Sequence, residues 1–172
     1  MVNKKYMKEE IAMKEKILKL LESNARLSSA DIAKQLGLSE KCVTKAIGEM
    51  EADKIICGYD AIINWDKISE EKVNALIEVK VVPQRGTGFD SIAQRIAKFD
   101  EVDSIYLISG GYDFLVMIEG KSMKEVSFFV YEKLSALDSI QSTATHFVLK
   151  KYKDHSISLE DKKKTKRENI IL

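Results

Sequence analysis

The chain has 172 residues, 45% of them hydrophobic and 32% charged, with a formal net charge of +1. That is enough apolar material for two small cores and too much for a disordered chain, and the near-neutral balance excludes the global basicity that would by itself advertise a polyanion partner. Cys42 and Cys57 have no CxxC spacing and no histidine nearby, so they read as reduced packing thiols rather than zinc ligands. Met1 to Glu10 is charged, and no stretch approaches the roughly 18 apolar residues that a membrane span needs. The expectation is a cytoplasmic protein with no metal, no cofactor and no membrane partner.

Along the chain, Ile11 to Leu21 is amphipathic, with Ile17, Leu18 and Leu21 on one side. Ser28 to Ser39 then places serine caps before two helical runs with Gly37 between them; serine accepts from free backbone N–H groups and glycine tolerates the left-handed turn that ends a helix. Ile32, Ala33 and Leu36 share a face of the first run, and Val43, Ile47 and Met50 share a face of the second. Opposite that face, at ~100° per residue, stand Lys41, Thr44, Lys45 and Gly48, where a recognition helix would meet a major groove. With the cap serines Ser28 and Ser39, Lys41, Thr44 and Lys45 form the candidate DNA-binding set. A short apolar strand, Ile55 to Tyr59, is expected next, with Ala61-Ile62-Ile63 beyond a hinge at Gly58, as in a winged helix-turn-helix domain over 1–64.

Residues 65–72 read as a charged linker. Val73 to Val82 alternates, with Val73, Ala75, Ile77, Val79 and Val81 on one side, and Pro83 ends the strand. Gly86-Thr87-Gly88 leads to a helix burying Phe89, Ile92, Ile96 and Phe99. Strands Val102–Ser109 and Asp113–Ile118 follow, joined by Gly110-Gly111-Tyr112, whose glycines suit the positive φ of a tight hairpin. A helix from Ser122 to Ala136 buries Met123, Val126, Phe129, Val130, Leu134 and Leu137 in part, and the last strand runs from Ile140 to Leu149. The order strand, helix, strand, strand, helix, strand is the ferredoxin-like split βαβ arrangement over 73–151. Both helices on one face leave the other face, with Tyr106, Ile108, Leu115 and Met117, needing cover, and a second copy is the common solution, so a homodimer is expected. Residues 152–172 read as a polar tail whose run Lys162-Lys163-Lys164-Thr165-Lys166-Arg167 is either a solvated segment or a nucleic-acid contact.

Leu36-Gly37-Leu38-Ser39, Val43, Ile47, Met50-Glu51 and Ile55-Ile56-Cys57-Gly58-Tyr59-Asp60-Ala61 resemble the N-terminal half of the Lrp/AsnC (feast/famine) transcription regulators. Ser109-Gly110-Gly111-Tyr112-Asp113-Phe114 is similar to the family's glycine-aspartate hairpin, and Ile140 to Lys150 resembles its final strand. The resemblance implies an α+β protein, a winged helix-turn-helix domain followed by a ferredoxin-like RAM/AsnC-type domain that senses ligands and oligomerises, as a dimer assembling to a tetramer or octamer. It also implies that a small effector, usually an amino acid, binds between dimers near those two segments. The chemistry agrees: free hairpin N–H groups at Gly110, Gly111 and Tyr112 can hold a carboxylate, Asp113 can pair with an ammonium, and Ser142, Thr143 and Thr145 can hydrogen-bond either group. A plain hairpin with a turn-stabilising aspartate is the alternative.

The chain departs from the family pattern twice. The recognition helix offers lysines, with Glu40 and Glu49 beside them, where relatives are rich in arginine, so weak or A·T-biased readout is expected. Gly111 stands where the family commonly has an acidic or other polar residue, which leaves effector identity open.

The function read from the sequence is a sequence-specific DNA-binding transcriptional regulator modulated by an amino acid or related metabolite. Two alternatives stand beside it. One is an oligomeric ligand-binding or scaffolding protein with degenerate DNA binding. The other is a haem-pathway decarboxylase of the same architecture, which His146 and His155 alone supply poorly. No GxSxG, HExxH, GxxxxGK[ST] or GxGxxG motif occurs, so no enzyme is expected.

Overall fold

A computed structural model describes residues 2–68, 72–82 and 88–160. Pro83, Gly86, Thr87, most of the charged linker beyond Ile68, and the basic run Lys162–Arg167 lie outside the described residues. The chain divides into two compact units, Met1–Ala61 and Ile62–Leu172.

The first unit is built from α1 (Val2–Ser23), α2 (Ser29–Leu36) and α3 (Glu40–Ala52). Helix α1 extends nine residues beyond the expected amphipathic start, through Lys-, Met- and Glu-rich turns that favour helix without needing burial. Its Ile17 and Leu21 meet Ile32 and Ala33 of α2 and Val43, Ala46 and Met50 of α3 in one buried cluster. Ala46 belongs to that face although the apolar spacing had picked out Ile47, which is half-buried. Ser28 and Asp31 form a reciprocal capping box on α2, Ser39 caps α3, and Gly37 ends α2 in the left-handed region at φ 67° with its N–H on the Ala33 carbonyl.

The expected strand over Ile55–Tyr59 does not form among the described residues. Lys54 adopts a left-handed φ of 58°, and the N–H groups of Ile55 and Ile56 both turn back to the Met50 carbonyl, at 2.8 and 3.0 Å. Donors spent on closing the helix are lost to a ladder, and no partner strand stands opposite. Ile56 packs on the core while Ile55 faces out. Tyr59 Oη donates to Glu51 at 2.8 Å and holds the loop to the end of α3.

The second unit contains β1 (Val73–Val81), α4 (Phe89–Ile96), β2 (Val102–Leu107), β3 (Phe114–Gly120), α5 (Met123–Phe129) continued by a π turn (Val130–Leu134), and β4 (Ile140–Phe147). The sheet is antiparallel in the order β2-β3-β1-β4. Ala75, Ile77, Val79 and Val81 of β1 and Phe114, Val116 and Ile118 of β3 pack under Ile92 and Ile96 of α4 and Val126, Phe129 and Leu134 of the second helix. Met123, expected in part in this core, is exposed, and Phe89 lies at its rim, edge-on to Phe114. The strands stop one to two residues short of the expected ends, except β3, which runs on to Gly120. Gly110 and Gly111 have no positive φ; among the described glycines Gly37 alone does. The connection from Ile108 to Asp113 is wide enough to turn without it.

Lys153–Asp154 (β5) and Ile157–Ser158 (β6) pair in a small hairpin where a polar tail was expected, turning through His155 and Ser156, both at positive φ. Leu159 N–H reaches the Tyr152 carbonyl, and the Asn64 side-chain amide donates to the Leu159 carbonyl at 2.8 Å.

Candidate functional site

In the first unit the site grows out of α3. With Val43, Ala46 and Met50 buried, helical geometry turns Lys41, Thr44, Lys45 and Gly48 outward, and all four are exposed. The two serines of the expected set are helix caps in the structure. Ser28 Oγ accepts from the Asp31 N–H at 3.1 Å and donates to the Asp31 carboxylate at 2.6 Å, which holds that carboxyl below its ordinary range. Ser39 Oγ accepts from the Cys42 N–H at 3.3 Å. Ser28 thus fixes where α2 starts and Ser39 where α3 starts.

Spacing alone had not joined α3 to α1. Glu49 Oε2 receives Lys14 of α1 at 3.0 Å, Lys14 also meets Glu10 at 3.0 Å, and Lys45 approaches the other Glu49 oxygen at 3.7 Å. Lys14 holds the Glu49 carboxyl below its usual range, and Glu49, with Glu10, raises the Lys14 ammonium. Beside this pair the Cys42 thiol meets the Met13 sulfur at 3.7 Å, so Cys42 is a packing residue between helices. The Lys45/Glu49 spacing of four was visible in the sequence; Lys14 was not, because its partner is 35 positions away.

In the second unit the residues expected to hold an effector fall at one end of the sheet. Asp113 links three segments: its N–H donates to the Val79 carbonyl at 3.0 Å, its carbonyl accepts from Ile108 at 2.8 Å, and its Oδ2 accepts from the Val81 N–H at 2.8 Å. On the other side of β1, Ser142 stands opposite Lys80 and Thr143 opposite Val79, with a bulge at Gln141, between Ile140 and Ser142. Asp113, Ser142 and Thr143 therefore flank the last turnless residues of β1, while Thr145, opposite Ile77, lies further in. They do not face one way. Directly opposed residues share a face, which puts Thr143 and Thr145 on the helix-covered side and Ser142 on the open side. Ser139, at the same end, is buried, its carbonyl accepts from Val82, and its hydroxyl has no partner among the described residues.

The open side of the sheet carries Tyr106, Leu115 and Met117 beside Leu76, Glu78, Ala144 and His146, as the register dictates. Its apolar centre is bordered by polar residues, Asn74 and Glu119 at one end and Lys80 and Ser142 at the other, and His146 Nε2 lies 3.4 Å from Glu78 within it. Ile108, expected on this face, is in the connection beyond β2.

Residues 12–56 match the model of a winged helix-turn-helix DNA-binding domain, and residues 74–157 match the Lrp/AsnC ligand binding domain. A regulator of Bacillus subtilis named YugG, an uncharacterized HTH-type transcriptional regulator, is 50% identical over 138 residues, 80% of this chain and 83% of its own. The chain belongs to the Lrp/AsnC family. The proline dehydrogenase transcriptional activator of Rhizobium radiobacter is 26% identical over 83% of this chain and 90% of its own. Escherichia coli AsnC superposes with a TM-score of 0.62 at 25% identity, covering 81% of this chain and 92% of that one. A Neisseria meningitidis regulator solved as an L-methionine complex has the same fold, with a TM-score of 0.64 at 24% identity over 84% of this chain and 93% of its own. The protein is thus a helix-turn-helix transcriptional regulator of the Lrp/AsnC type and not an enzyme, and the decarboxylase alternative falls with that membership. Among the described residues no helix is long and apolar enough to cross a membrane.

Proposed function

We propose that this Lrp/AsnC protein binds promoter DNA through the exposed face of α3, with Lys41, Thr44 and Lys45 as the contacting side chains, and that an amino acid or related metabolite alters that binding from the second unit. The observation that carries the DNA reading is the outward set on α3: two lysines, a threonine and a glycine with no large apolar side chain among them. The effector site is the sheet end formed by Gly110, Gly111, Tyr112 and Asp113 on one side of β1 and Ser142 and Thr143 on the other. The L-methionine complex of the Neisseria relative supports an amino acid as the class of effector.

The working unit is a homodimer joined by the open sheet face, assembling further to a tetramer or octamer in the cytoplasm. Dimerisation presents two α3 helices to half-sites a helical turn, or a multiple of it, apart. The effector must bind one assembly better than another, because equal affinity for both shifts nothing. A gel-shift titration against the protein's own upstream DNA, at two salt concentrations and with and without pooled amino acids, tests this. Salt-sensitive, sequence-dependent shifts that respond to amino acids are expected. No shift at micromolar protein would return the weight to a ligand-binding scaffold.

A further inference from the structure

The α3 face is poor in cations for a DNA-binding surface, and one of its two lysines is shared. Lys45 Nζ is 3.7 Å from Glu49 Oε1 while its side chain is 79% exposed, so it is free to swing to a phosphate but starts beside a carboxylate. Glu49 itself is held in place. Its second oxygen receives Lys14 from α1 at 3.0 Å, and Lys14 is steadied in turn by Glu10 one helical turn earlier. The Lys14 side chain is 22% exposed, the least of these four. Cations and anions alternate along the row Glu10, Lys14, Glu49, Lys45, and the row ends on the DNA-facing side of α3.

We propose that Glu49, anchored by Lys14, is an electrostatic brake on this face: it competes with DNA phosphates for Lys45 and lowers affinity for duplexes of any sequence. The inference rests on α3 being the DNA-facing helix. Its physical basis is that one more cation delivered to the backbone releases one more counterion, so the brake acts on the sequence-independent part of binding. A regulator whose response depends on small free-energy differences gains from weak non-specific binding, because the genome offers a vast excess of wrong sites. Lys14 is a positioning residue. It neither needs to reach the DNA nor supplies the charge that does; it keeps the Glu49 carboxylate from rotating wholly onto Lys45.

The test measures affinity of the full chain for a random-sequence duplex over a range of salt. Glu49→Gln should tighten binding about two- to fivefold at low salt, the range of an exposed ion pair, and steepen the salt slope by about one. Lys14→Met should weaken binding, and should do so much less in the Glu49→Gln background. Weaker binding by Glu49→Gln, or loss of discrimination at a single base pair with general affinity unchanged, would overturn the brake; the latter is what a glutamate accepting from cytosine would give. An equal effect of Lys14→Met in both backgrounds would overturn the anchoring. Lys45→Glu separates this from the α3 assignment: it should weaken binding to all sequences and flatten the slope by about one to two, and unchanged binding would sink the assignment itself.

Discussion

Single residues carry more backbone work here than their chemistry announced. Asp113 suggested an ammonium partner, yet one of its oxygens is committed to the Val81 N–H, 32 positions away. Only the folded register of β1 and β3 brings that donor to it, so the sequence could not distinguish the two roles. Asp113→Ala should cost about 1–3 kcal/mol, the range for orphaning a partly buried N–H, read as a lower urea midpoint with an unchanged m-value. A retained midpoint would show that water replaces the carboxylate. Glu101 makes a pH prediction. Lys133 donates to its carboxylate and holds its pKa below the ordinary 4.5 against the opposing effect of burial. A carboxyl depressed in the folded state stabilises above its unfolded value, and that contribution is lost as pH falls through the folded one. Glu101→Gln should therefore lower stability near neutrality and flatten the acid limb of a urea-midpoint profile taken between about pH 7 and pH 3.

Elements were legible where local rules govern them. The serine caps, Gly37 and most of the apolar period in α2, α3 and α4 read correctly, because each depends on neighbours within four positions; Ile47, half-buried beside the buried Ala46, and Phe89 at the core rim are the exceptions. The alternation of β1 did so for the same reason. What failed depends on partners: Ile55-Ile56 has strand composition but spends its N–H groups on Met50, and the β5–β6 hairpin is too short and polar to carry a periodic signal. The candidate sites divide likewise. Lys41, Thr44 and Lys45 followed from helical geometry, and the division of Ser142 from Thr143 and Thr145 between two faces is plain strand alternation; what the sequence withheld is the register that sets Thr143 opposite Val79 and turns both threonines to the covered side. At this scale Gly37 is the decisive position between helices. Its φ of 67° makes any side chain strained although space for a Cβ exists, so Gly37→Ala should cost about 1–2 kcal/mol in thermal unfolding. It should also weaken DNA binding by moving α3, and Ser28→Ala should cost about 1 kcal/mol through the lost cap.

At the scale of the whole molecule, the four-stranded sheet is covered on one face by α4 and α5 and carries Tyr106, Leu115, Met117 and Leu76 on the other. A face of that composition is the expected seam between two copies. Met117→Lys, at the middle of β3, should dissociate the assembly and lower DNA affinity with it, since each protomer brings one α3. Sedimentation velocity decides this: a monomeric native protein, or an unaltered oligomer in the variant, would contradict the seam.

Trp65 is the chain's single tryptophan, and Lys72 places its ammonium 3.9 Å from the indole centroid. The neighbouring Asn64 is fastened to Leu159. Tryptophan emission, excited at wavelengths that the six tyrosines do not absorb, therefore originates from one spot, beside a fixed cation. It is a built-in optical gauge: without any label, a change in its intensity or wavelength on adding DNA or an amino acid reports rearrangement around Trp65, at the start of the second unit.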